Sequence, residues 1–132
     1  LPKSNKRKRP TVLVVDDDPS LLRAIARLVR SAGFEVRTFE RPGLLLASEM
    51  PKTNACLVLD LNLPEMNGVE LYQALALSGC VLPVIMITAR SDDANTRQLL
   101  KQINAVEVLF KPFDGNYLTN AIERVLAASL SA

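Results

Sequence analysis

The chain has 132 residues, of which 48% are hydrophobic and 23% charged, with a formal net charge of +2. That length and balance suit one soluble globular domain that can bury a core without disulfide or metal staples. No apolar run nears the roughly 20 residues of a membrane span, the basic start lacks the apolar stretch of a secretory signal, and a chain with no histidine cannot use Ser/His or Cys/His catalysis or most zinc sites.

Charge and thiols are placed unevenly. Lys3, Lys6, Arg7, Lys8 and Arg9 crowd the first ten residues; without them 11 basic residues face 14 acidic ones, a net of −3. The folded part therefore does not read as a nucleic-acid binder, although the tail could touch phosphates. Residues 1–10 read as a basic flexible arm and 11–130 as the domain. Cys56 and Cys80 have no CxxC spacing and read as buried or half-buried thiols of a reducing, cytoplasmic compartment.

Strands and helices alternate along the chain. Thr11 to Asp16 is a short β-branched apolar run, the mark of a strand buried on both faces. Asp18-Pro19 supplies an N-cap and a first-turn proline, and Leu21, Ile25, Leu28 and Val29 recur at helical spacing until Gly33. Phe34 to Phe39 alternates as a second strand, and Arg41 to Glu49 reads as a helix. Ala55 to Asp60 is a third strand, Asn62 to Gly68 a turn-rich loop, and Val69 to Leu77 a helix. Pro83 to Thr88 is a fourth strand, Asp92 to Ile103 a polar helix, and Val106 to Phe110 a fifth strand leading to a Lys111-Pro112 loop. A last helix, Asp114 to Leu130, carries Leu118, Ile122, Val125 and Leu126. Five βα units with short connections predict a parallel sheet with right-handed crossovers, covered by helices on both faces.

Sites in such sheets lie at the carboxyl ends of the strands. Strand one ends in Asp16-Asp17, strand three in Asp60, strand four in Thr88, and Lys111 follows strand five. If these strands are neighbours, three carboxylates, a hydroxyl and an ammonium converge. Carboxylates that close raise one another's pKa unless a cation intervenes. Oxygen ligands suit a hard divalent cation such as Mg²⁺. With lysine and hydroxyl added, the cluster suits a phosphoryl group, and a carboxylate can itself be the nucleophile. Asp18 reads as a helix cap; Asp16 and Asp17, two further acids at a strand end, are poorly explained that way.

The segments VVDDDPSLLRAIARLVRSAGFEV, LVLDLNLPEMNGVEL, VIMITAR and VLFKPF resemble, in order and spacing, the four signature blocks of response-regulator receiver domains of two-component systems, a chemotaxis-regulator-like family. The resemblance covers Thr11 to Leu126. It implies a flavodoxin-like α/β three-layer sandwich with a five-stranded parallel sheet of order 2-1-3-4-5, the order for which a receiver is itself a standard example. It implies that Asp60 accepts a phosphoryl group from a sensor histidine kinase or phosphotransfer protein. Asp17, Asp60 and the Asn62 backbone carbonyl would hold Mg²⁺ (Mn²⁺ as a substitute), with Asp16 on its water. Thr88 and Lys111 would bind the phosphoryl oxygens, and Asn62 and Arg90 would tune self-dephosphorylation. A cis Lys111-Pro112 peptide is implied too. Such a domain catalyses only its own phosphorylation and dephosphorylation, has no membrane partner, and can form a homodimer through the face of the fourth and fifth helices and fifth strand; its output partner is unspecified.

Two positions depart from the family pattern. Val108 stands where an aromatic rotamer switch is common, and Asn104 where a glycine is usual, asparagine being tolerant of positive φ. Val108 keeps open a phosphate-independent interaction module. A metal-dependent phosphohydrolase using an aspartyl phosphate is disfavoured, because no cap or substrate-pocket segment is present and Leu61, not an acid, follows Asp60.

Overall fold

The computed structural model describes residues 9–89, 94–103 and 107–131. Its elements follow in chain order as β1 (Thr11–Val15), α1 (Pro19–Ser31), β2 (Glu35–Phe39), α2 (Pro42–Leu46), β3 (Ala55–Asp60), α3 (Gly68–Leu77), β4 (Val84–Ala89), α4 (Ala94–Leu100), β5 (Glu107–Lys111) and α5 (Gly115–Ser131). The strands form one parallel sheet of order β2-β1-β3-β4-β5. This is the flavodoxin-like arrangement expected from the sequence.

Strand periodicity splits the core in two. Val12 and Val14, Cys56 and Val58, and Ile85 and Ile87 face one side, where they meet Leu22, Ile25 and Val29 of α1 and Leu118, Ile122 and Val125 of α5. Leu13 and Val15, Leu57 and Leu59, and Val84 and Met86 face the other, against Leu45, Val69, Leu71 and Leu75 of α2 and α3. Each fully buried Leu, Ile or Val contributes about 1.5–3 kcal/mol relative to exposure. The central strands β1, β3 and β4 are therefore the anchor of the fold. The strand ends that carry Asp16, Asp60 and Thr88 are fixed by the best-buried part of the chain.

Local signals set the helix starts. Asp18 caps α1, accepting from the backbone N–H groups of Ser20 and Leu21, with Pro19 in the first turn. Asn67 opens α3 through a capping box: it accepts from the Glu70 N–H, and Glu70 accepts from the Asn67 N–H. The box is written in the sequence as Asn67-x-x-Glu70, across the boundary between the expected turn-rich loop and the expected helix.

Several boundaries differ from the expected ones. Helix α2 stops at Leu46 rather than reaching Glu49; Ser48 turns back, its N–H and hydroxyl both donating to the Leu45 carbonyl, and Pro51 follows. The buried stripe of α1 is Leu22, Ile25, Ala26 and Val29, whereas Leu21 and Leu28 are only partly buried. Lys111 closes β5 rather than beginning a loop. The expected start of the polar helix at Asp92, and Asn104 and Val106, lie outside the described residues. Among the described residues, no helix is long and apolar enough to cross a membrane.

Candidate functional site

The carboxyl ends of β1, β3, β4 and β5 bring the expected residues to one edge of the sheet. Asp16 is fully buried just after β1, Asp60 is buried at the end of β3, and Asp17 is exposed beside them. One carboxylate oxygen from each of the three lies within 4.8 Å of the others. Lys111 Nζ sits 2.9 Å from Asp16 Oδ2 and 3.3 Å from Asp60 Oδ2, so one ammonium bridges two carboxylates. Among the described residues, the buried Oδ2 has this ionic neighbour but no hydrogen-bond donor.

Asp16 Oδ1 accepts from the Asp18 N–H at 2.9 Å, and Asp60 Oδ1 accepts from the Asn62 N–H at 3.0 Å. Each carboxylate is thus turned by the backbone two residues on. Thr88 is fully buried near the end of β4, and its Oγ1 accepts from Asn62 Nδ2 at 3.1 Å. The Lys111-Pro112 peptide is cis. Arg90 lies outside the described residues.

The electrostatics follow from burial and proximity. Burial pushes the Asp16 carboxyl above its ordinary range; the close Lys111 ammonium and the Asp18 N–H pull the other way, and the Asp60 charge adds to the rise. For Lys111, burial alone would favour the neutral amine, but the close carboxylates of Asp16 and Asp60 outweigh it and hold the ammonium above the usual lysine value. Three carboxylates and one ammonium leave a formal charge of −2, with a buried oxygen short of a donor. The donor set is oxygen only and its deficit is two charges. This acidic cluster can take a hard divalent cation.

Close packing behind the cluster fixes its geometry. Gly68, the first residue of α3, donates its N–H to the Leu61 carbonyl at 2.9 Å. A Cβ at Gly68 would lie 2.7 Å from the Asp60 carbonyl oxygen. Glycine therefore lets α3 press against the strand end that carries Asp60. Val108, in the position where an aromatic was expected, is half-buried against the same side of the sheet as Met86. Phe110 is the register partner of Thr88 on the neighbouring strand and is 45% exposed. The Asn62–Thr88 hydrogen bond had no sequence signal, since it joins the loop after β3 to the end of β4, 26 residues further on.

The geometry meets its relatives at this point. Residues 12–123 match the response regulator receiver domain family. Nodulation protein W of Bradyrhizobium diazoefficiens is 39% identical over 111 residues, covering 84% of this chain and 48% of that protein. The transcriptional regulatory protein TdiR of Thauera aromatica is 35% identical over 117 residues, covering 89% and 51%. The solved structure of response regulator StyR superposes with a TM-score of 0.82 at 41% identity, covering 93% of this chain and 62% of that one. The chain thus spans about half the length of the curated relatives it matches. With a family match that runs from β1 into α5 and a sheet of the matching order, the chain belongs to the response regulator receiver domains of two-component signalling.

Proposed function

We propose that this domain is a phosphorylation switch whose phosphoacceptor is Asp60. The observation that supports it is the bridging Lys111 ammonium, 2.9 Å from Asp16 and 3.3 Å from Asp60, beside three carboxylates with a deficit of two charges. An Asp60 carboxylate oxygen attacks the phosphorus of a phosphohistidine on a sensor kinase or phosphotransfer protein. The P–N bond breaks, and the imidazole nitrogen keeps the electron pair and takes a proton. Lys111 offsets charge on the phosphoryl oxygens, and Thr88 donates its hydroxyl to one of them. Asp17, Asp60 and the Asn62 carbonyl would hold Mg²⁺ (Mn²⁺ as a substitute), with Asp16 on its water, and the ion would supply the remaining neutralisation. Asn62 and Arg90 tune the hydrolysis by which the domain removes its own phosphoryl group.

Phosphorylation shifts the population of two conformers and changes the face of α4, β5 and α5. Exposed Phe110 and Tyr117 on that face offer apolar area for an output partner or a homodimer. In this reading residues 11–130 are the receiver, residues 1–10 a basic arm, and the compartment is the cytoplasm. Because relatives such as TdiR are about twice as long, the output is a separate module, and transcriptional control is the reading their names favour.

Mass spectrometry tests the assignment. Incubation with Mg²⁺ and a small phosphodonor should add one phosphoryl group, acid-stable and base-labile, and Asp60→Asn should not gain it. No uptake by the wild-type protein would overturn the switch, and turnover of many phosphate esters per chain would favour a hydrolase.

A further inference from the structure

Asn62 holds both halves of the proposed switch at once. Its backbone N–H donates to Asp60 Oδ1 at 3.0 Å, and its side-chain Nδ2 donates to Thr88 Oγ1 at 3.1 Å. Among the described residues, no hydrogen bond joins Thr88 directly to Asp60, while an exposed amide reaches in to a fully buried hydroxyl. Threonine side chains occupy staggered wells ~120° apart, and β-branching with burial makes intermediate angles costly. A hydroxyl that leaves its present well to meet a group on Asp60 puts another substituent where Oγ1 now sits. The two partners cannot both be served from separate wells.

We propose that the Asn62 side chain is a latch on Thr88: it holds the hydroxyl in its resting orientation, and phosphorylation of Asp60 must break that bond before Thr88 can turn. Asn62 is then a positioning residue that acts through Thr88, in addition to any role its backbone has at the metal. The inference rests on Asp60 being the phosphoacceptor. Because the freed amide is at the surface and returns to water, removing the latch shifts the resting equilibrium by what a net hydrogen bond supplies, about three- to tenfold. A phosphoryl mimic that binds the switched conformer tightens by the same factor.

The test is a double-mutant cycle on the intact protein, reading the apparent affinity for beryllofluoride in the presence of Mg²⁺. Asn62→Ala should bind about three- to tenfold tighter than wild type, and Asn62→Leu, which keeps bulk and loses the donor, should do the same. In a Thr88→Val background both effects should vanish, because no hydroxyl is left to latch. An equal change in both backgrounds, or none in either, overturns the latch, since a direct or merely structural effect of Asn62 would not depend on the Thr88 hydroxyl. If Thr88→Val binds too weakly to measure, relaxation dispersion of the Thr88 γ-methyl in ligand-free protein decides. Asn62→Ala must raise the minor population by the same factor, and an unchanged population overturns the proposal. If the wild-type protein neither binds beryllofluoride nor takes up phosphate, the phosphoacceptor reading itself falls and the latch with it; a responsive wild type with an additive cycle sinks the latch alone.

Discussion

Gly68→Ala should damage both the fold and the site, by an amount that the local packing sets. The new methyl would meet the Asp60 carbonyl oxygen at 2.7 Å, the Leu61 Cα at 3.1 Å and the Met86 Sδ at 3.1 Å. Ordinary carbon contacts sit at about 3.5–4.0 Å, so α3 and the end of β3 must part by several tenths of an ångström. Two of the three neighbours are backbone atoms with no rotamer to change. Overpacking of this kind costs about 1–3 kcal/mol, and the helical gain of alanine over glycine offsets at most about 1 kcal/mol. A net loss of about 1–2 kcal/mol lowers Tm by roughly 3–10 °C in a domain of this size. Differential scanning calorimetry reads the shift, with Gly43→Ala as the control. Among the described residues nothing lies within 4 Å of a Cβ at Gly43, so that variant should be neutral or stabilised by about 0.4–1 kcal/mol. If Asp60 is the phosphoacceptor proposed above, phosphoryl uptake should slow in Gly68→Ala even well below Tm, because the displaced carbonyl is its own. A Gly68→Ala protein that melts at or above the wild-type temperature would show that the contact between α3 and the end of β3 is slack.

The remaining predictions concern charge and thiols. Burial raises the Asp16 pKa, so between its unfolded and folded values the native state binds more protons, and the contribution of Asp16 to stability falls as pH rises. Asp16→Asn, which keeps the Oδ1 acceptor for the Asp18 N–H, should therefore melt above wild type at neutral pH without metal; the gap should close on acidification, and Mg²⁺ should raise the wild-type Tm more than that of the variant. A variant that melts below wild type at neutral pH would refute this. Glu107 is held below the ordinary glutamate value first by its hydrogen bond from Arg124, so its contribution is present above the unfolded pKa and lost as pH falls through the folded one. NMR titration of Arg124→Gln should move the Glu107 midpoint upwards; an unmoved midpoint removes Arg124 as the cause. Burial pushes the Cys56 thiol up to about 12, and Cys80 is partly exposed, so a thiol reagent at pH 8 should label Cys80 in the native protein and both cysteines in denaturant. Labelling of Cys56 at the rate of Cys80 in the native state would contradict its burial.

The legible parts of the site were those set by chain order alone. A residue at the end of a buried strand is placed by the strand, so Asp16, Asp60 and Thr88 could be located before any side chain was seen. Lys111 was located as well, though as a loop residue, because the charge at the end of β5 broke the apolar pattern that marked the strand. Less legible were features that depend on angle or on distant partners. The face of α1 was misread by one residue because adjacent leucines, Leu21 and Leu22, both fit a helical stripe and only packing chooses between them. The reach of α2 was overestimated because Ser48 competes for the backbone carbonyl of Leu45, a hydrogen bond that composition does not reveal. The Asn62–Thr88 bond required knowing which way a loop side chain after β3 and a strand side chain of β4 turn towards each other.

The division of the core by the sheet has a mechanical consequence. On β4, Val84 and Met86 point to the α3 side and Ile85 and Ile87 to the α1 and α5 side, so alternation places Thr88 with Met86. Val108 and Phe110, on β5, face the same way. The turn of Thr88 proposed above would therefore press first on the α3 side of the sheet. In the opposite layer α1 and α5 pack against the other face of the same sheet, so a displacement that starts at Thr88 would reach α5 only by way of the strands.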